Sequence, residues 1–208
     1  MQRLNESTPF TLGVDAVRAA STRTELVVNE IAAPDGLAPF SFALSADISP
    51  AAHSTDSEHG TGRFVLLHDP ESPEAWGGQW RVVCFAQAPL ETEMGIDPFL
   101  ADVTWAWLMD ALSSRNAIHS AASGTTTKVL STGYGELADQ GDGAVIEVRA
   151  SWSPVITPSL VSDRGSSESG PGTLGAHAEA WTELLALLAG LPPAEGVTSL
   201  AHRRAARA

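Results

Sequence analysis

GRFVLLHD (62–69), WRVVCFAQA (80–88) and DPFLADVTWAWLMDAL (97–112) set the class of this fold. The first two are short, rich in β-branched and aromatic residues and bounded by polar or proline-containing loops, which predicts strands. The third opens with Asp97 as a helix cap and Pro98 at the first helical position, and then runs apolar for several turns. At 100° per residue, Phe99, Leu100, Val103, Trp107 and Ala111 cover one broad face, while Trp105, Leu108 and Leu112 cover a second. A helix apolar on so many sides must be buried on more than one. The reading therefore places this helix at the centre, with Phe99, Val103 and Trp107 against a sheet.

Working upstream, residues 39–48 alternate with a period of two. Phe40, Phe42, Leu44, Ala46 and Ile48 point one way, as expected of a strand with one wet face. Residues 24–32 are extended, and residues 9–20 form a short amphipathic helix starting at Thr8 and Pro9, with Phe10, Val14 and Val17 on one side. Connections between 40 and 88 leave no room for a crossover helix, so these strands form an antiparallel meander that Pro89 ends.

Downstream, residues 123–132 and 144–152 make a second hairpin, the latter with Ile146, Val148, Ala150 and Trp152 inward. Residues 157–173 are Ser/Gly/Pro-rich and read as a disordered loop. The last helix, 174–189, places His177, Trp181, Leu184, Leu185 and Leu188 on one face and Glu179 and Glu183 on a wet one. Gly190 is its left-handed cap, ahead of Pro192 and Pro193. The order is α-β-β-β-β-α-β-β-α, an α+β fold with an antiparallel sheet of five to six strands in one domain over 9–200, followed by a frayed tail at 201–208. Apart from the strand at 24–32, this order is similar to that of bacterial secretion chaperones.

At 208 residues, 43% hydrophobic and 18% charged, the chain is long enough to build a core without staples. Its net charge of −13 repels phosphates and argues against nucleic-acid binding. The one cysteine, Cys84, excludes an internal disulfide and fits a reducing cytosol. No signal peptide and no membrane span is read, so the expected location is cytoplasmic.

Several runs together resemble one family: LAPFSFALSADI (37–48), TGRFVLLHDPESPEAWGGQWRVVCFAQA (61–88), DPFLADVTWAWLMDAL (97–112), EVRASWSP (147–154) and LGAHAEAWTELLALLAGLPP (174–193). They look like an uncharacterised actinobacterial family, the domain-of-unknown-function family numbered three thousand. That resemblance implies a bacterial cytosolic protein and transfers no catalytic residue.

Chemistry is sparse. His68 and Asp69 end a strand beside Trp76, Trp80 and Arg81, a set that could line a pocket or act as an acid/base pair on a small polar metabolite. An Asp-Pro turn equally needs its aspartate for backbone hydrogen bonds. His53, Asp56, Glu58 and His59 are competent metal ligands, but no apolar residue anchors their loop, which reads as a solvated acidic one. Glu91, Glu93, Asp97 and Asp102 suit the start of a helix better than a catalytic pair. Gly133-Tyr134-Gly135 lacks the helix that a dinucleotide fingerprint requires. His177 reads as a core histidine bonded to a neighbouring strand or loop. No metal and no cofactor is expected, and the leading expectation is a non-catalytic binding or chaperone-like module. A homodimer is expected through Trp105, Leu108 and Leu112, with a further protein partner possible.

Overall fold

The computed structural model describes residues 3–49, 60–156 and 174–193. Among these residues, four α-helices and six strands follow the order α1 (Arg3–Arg18), β1 (Leu26–Ile31), β2 (Phe40–Ile48), β3 (Thr61–His68), β4 (Trp80–Leu90), α2 (Thr92–Gly95), α3 (Leu100–Ser114), β5 (His119–Ser131), β6 (Gly143–Pro154) and α4 (Leu174–Leu188). The strands form one antiparallel sheet in the order β1-β2-β3-β4-β6-β5. The α+β class and the alternation of β2 and β6 are as the sequence implies. The loop carrying His53, Asp56, Glu58 and His59, the segment 157–173 and the tail 201–208 lie outside the described residues.

The centre of the molecule is α4, not α3. Helix α4 lies on β3, β4 and β6, and α1 and α3 flank it on either side. From Leu174 to Ala186 every residue of α4 is buried. Its seat is a row of small side chains running across the sheet, Ala46, Gly62, Ala86 and Val148, which are paired neighbours on successive strands. The Trp181 ring drops into that trough, and its indole N–H donates to the Phe85 carbonyl at 3.1 Å. A Cβ on Gly62 would stand 3.0 Å from the Trp181 ring and 3.1 Å from the Phe85 carbonyl oxygen. Gly62→Ala should therefore lower stability by about 1–3 kcal/mol through overpacking. A urea midpoint equal to that of the unsubstituted protein would show that the trough can widen at no cost.

Helix α3 turns a different side inward from the one expected. Leu100, Thr104, Leu108, Ala111 and Leu112 are buried, whereas Phe99 is 67% and Val103 41% exposed. Asp97 still provides the opening hydrogen bond, its Oδ1 accepting from the Phe99 N–H at 2.8 Å, but the helix proper begins two residues later than Pro98. Other boundaries differ as well, β5 beginning at His119 rather than Ser123. Helix α1 starts at Arg3 with Pro9 inside it, and β4 continues through Pro89 to Leu90. Proline is tolerated at 89 because β3 pairs with β4 only as far as Gln87, so beyond that point β4 has a neighbour on one side alone.

Candidate functional site

The residues grouped at the end of β3 do not converge. Alternation along the strands sends His68 and Trp80 to the helical face and Arg81 to the opposite one. His68 is 2% exposed, and its ring lies 4.3 Å from Trp80, 5.8 Å from Phe40 and 6.2 Å from Phe10, centroid to centroid. Neither ring nitrogen has a hydrogen-bond partner among the described residues, and burial lowers the His68 pKa. Asp69 turns away and accepts from the Glu71 N–H at 2.9 Å, the local turn bond that an Asp-Pro corner needs. On the far face Arg81 donates to Ser151 Oγ, Ser153 Oγ and the Ala121 carbonyl, while Ser153 Oγ donates to the Trp76 carbonyl at 2.6 Å. His68 thus sits in an aromatic box, and Arg81 and Trp76 fasten a loop to the sheet.

The wet face assigned to α4 is a buried ionic cluster. Glu179 and Glu183 are 7% and 6% exposed. Arg115, at the end of α3, reaches Glu179 Oε2 at 3.3 Å and Glu183 Oε2 at 3.0 Å. Glu179 Oε1 also accepts from the Ser21 N–H, and Arg23 lies 3.6 Å from Glu183. This cluster ties α3 and the segment after α1 to α4. The contact also corrects the expected self-association surface. Leu108 and Leu112 are both 0% exposed, covered within the chain where α3 meets α4. Trp105 is half-buried, and a Cβ on Gly124 of β5 would stand 2.8 Å from its ring.

His177 is the core histidine anticipated. The Trp152 indole N–H of β6 donates to its Nδ1 at 3.0 Å. Burial, with His119 adding to it, pushes the His177 pKa down to about 3. Cys84 is likewise buried, and its thiol is pushed up to about 12, too high to serve as a nucleophile.

What the sequence did not single out is a groove of about 720 Å³ at the C-terminal end of α4. Its walls are Leu90 and Ile146 from the sheet, Met94 from α2, Leu100 and Trp107 from α3, and Leu187 and Leu191 from α4 and its cap. Backbone punctuation builds the α4 wall. Gly190 at φ +77 turns the chain back, and the Leu191 N–H bonds the Ala186 carbonyl at 3.0 Å, laying Leu191 beside the helix. Met94 on its wall is 45% exposed, and Ile96, Phe99 and Val103, on the chain from there to the first turn of α3, are 64%, 67% and 41% exposed. Glu91 is the only ionisable residue lining it among the described residues. The signal that could have found this site was in plain view: the run LLALLAGLPP is apolar on every side, so Leu187 and Leu191 need a cover that the sheet cannot give.

No helix of the described residues is long and apolar enough to cross a membrane. No curated protein and no solved structure matches the chain. A family described as protein of unknown function (DUF3000) matches residues 6–198. That span takes in every strand and all but the first residues of α1, and the chain belongs to this family.

Proposed function

We propose that the chain is a non-catalytic binding module that holds an apolar segment of another protein in the groove between α2, α3 and the C-terminal end of α4. The observation that carries this reading is the apolar lining of the groove, with Met94 exposed on its wall and Ile96, Phe99 and Val103 exposed on the chain from α2 to the first turn of α3. Exposed apolar surface of this kind marks binding sites in soluble proteins. The enzyme alternative draws no support from the geometry, because the His68 and Asp69 side chains point apart and His68 is closed off by three rings.

An environment-sensitive apolar dye tests the reading. It should bind the folded protein with one site, and Met94→Asp or Val103→Asp should weaken it roughly tenfold, the effect of placing a carboxylate in an apolar contact. Both residues are more than a third exposed, so neither change should lower the melting temperature much. Dye binding that is absent, or indifferent to both substitutions, would sink the proposal.

A further inference from the structure

Among the described residues, the chain from α2 through α3, which supplies Glu91, Met94, Leu100 and Trp107 to the groove, is predominantly acidic. Between residues 91 and 114 the chain carries Glu91, Glu93, Asp97, Asp102 and Asp110, all exposed, and no lysine or arginine. On α3, Asp110 falls on the same side as Val103 and Trp107, so a carboxylate stands beside the apolar stripe. The described bases nearest this region are Arg23, Lys128 and Arg115, and Arg23 donates to the Pro192 carbonyl beside Leu191 and Pro193. Lys128 Nζ donates to the Asp97 carbonyl at 2.7 Å, and Arg115 is held by Glu179 and Glu183. The Thr92 hydroxyl on α2 donates to the Asp142 carbonyl at 3.2 Å, which brings another acidic residue alongside.

An apolar floor with an acidic rim selects its occupant by charge. A second copy would set this rim against itself in a two-fold contact, carboxylate facing carboxylate, an arrangement that costs affinity. An acidic or neutral segment gains nothing from the rim. Resting on the reading of the groove as a binding site, we infer that its occupant is a cationic amphipathic helix of a partner protein. Such a helix would place its apolar residues at i, i+3, i+4 and i+7 along Met94, Val103, Trp107, Leu187 and Leu191, with lysines or arginines over Glu91, Glu93 and Asp110. Steering by the net charge of −13 would speed capture of such a partner at low salt.

Two synthetic helices with the same apolar positions, one bearing lysine at its polar positions and the other glutamate, separate the outcomes when titrated against the full chain by fluorescence anisotropy. The cationic helix should bind roughly tenfold or more tighter, and the gap should close in high salt as the rim is screened. The combined change Glu93→Gln and Asp110→Asn should cut the preference several-fold while leaving the apolar dye bound. Equal binding of the two helices, or binding of neither by a protein that still takes the dye, would overturn the charge assignment and leave the groove reading intact. Loss of the dye as well would remove both. The chain's own Arg203, Arg204 and Arg207 are tested by replacing all three with serine. Unchanged affinity for the cationic helix supports an external partner, whereas a several-fold gain would mean that the C-terminal residues compete for the groove and would overturn it. A dimer in light scattering that the cationic helix dissociates would assign the groove to a second copy and also overturn it.

Discussion

Arg115→Met should unfold at a markedly lower urea concentration than the unsubstituted protein, with a loss of about 3–5 kcal/mol. Methionine preserves much of the aliphatic stem and removes the guanidinium, which is bonded to two carboxylates that sit one turn apart on α4. Glu179 would keep the Ser21 N–H and Glu183 would keep Arg23 at 3.6 Å, but neither contact replaces a short, charge-assisted bond in a buried setting. The two carboxylates would also repel each other across an interface from which water is largely excluded. Adding Glu179→Gln and Glu183→Gln to Arg115→Met should recover a good part of the loss, since uncharged amides cost less to bury. A loss below about 1 kcal/mol for Arg115→Met would place this cluster with exposed surface pairs and refute its role in clamping α3 to α4.

Acidification should destabilise the protein already as the pH falls below 6.5. The folded-state pKa of His177 is about 3 against an ordinary value of 6.5, so the unfolded chain binds this proton first and folding must expel it. His177 therefore contributes its full stability above pH 6.5 and loses it as pH falls toward 3, at about 1.4 kcal/mol per pH unit. By pH 5 the loss from this one side chain is about 2 kcal/mol. His68 is shifted the same way by burial and adds to the slope. Glu25, held down to about 2 mainly by its hydrogen bond from Arg23, loses its contribution only between pH 4.5 and 2, a separate window. His177→Gln keeps an acceptor for the Trp152 indole and does not titrate, so its denaturation midpoint should change less between pH 7 and 5. Equal pH sensitivity of the variant and the parent would show that His177 is not the group responsible.

The parts of the fold readable from the sequence are those written in local order. The alternation from Phe40 to Ile48 names the buried side of β2, and Gly190 with the two prolines names the end of α4. What could not be read is which helix sits at the centre. Both α3 and α4 are apolar on nearly all sides, so periodicity does not choose a face for either. Glu179 and Glu183 pointed to a wet face on α4, and their true surroundings depend on Arg115 and Arg23, which are distant in sequence. The same ambiguity hid the groove, because it lies where α2, α3 and α4 meet. His68 and Arg81 looked like neighbours because they end paired strands, yet alternation along β3 and β4 places them on opposite faces of the sheet.

Placing the central helix after every described strand has a consequence for synthesis. Every strand, and the helices α1, α2 and α3 beside them, leaves the ribosome before α4 does. Until residues 174–188 emerge, Phe64, Val148 and Trp152 have no helix to cover them. At roughly 5–20 residues per second the nineteen residues between β6 and α4 delay that cover by a few seconds at most. Translation stalled near residue 160 should leave nascent chains open to protease throughout the sheet, whereas chains extended far enough to expose α4 should become resistant together. The sheet thus stays open until α4 is made, and α4 is the helix that converts it into a folded domain.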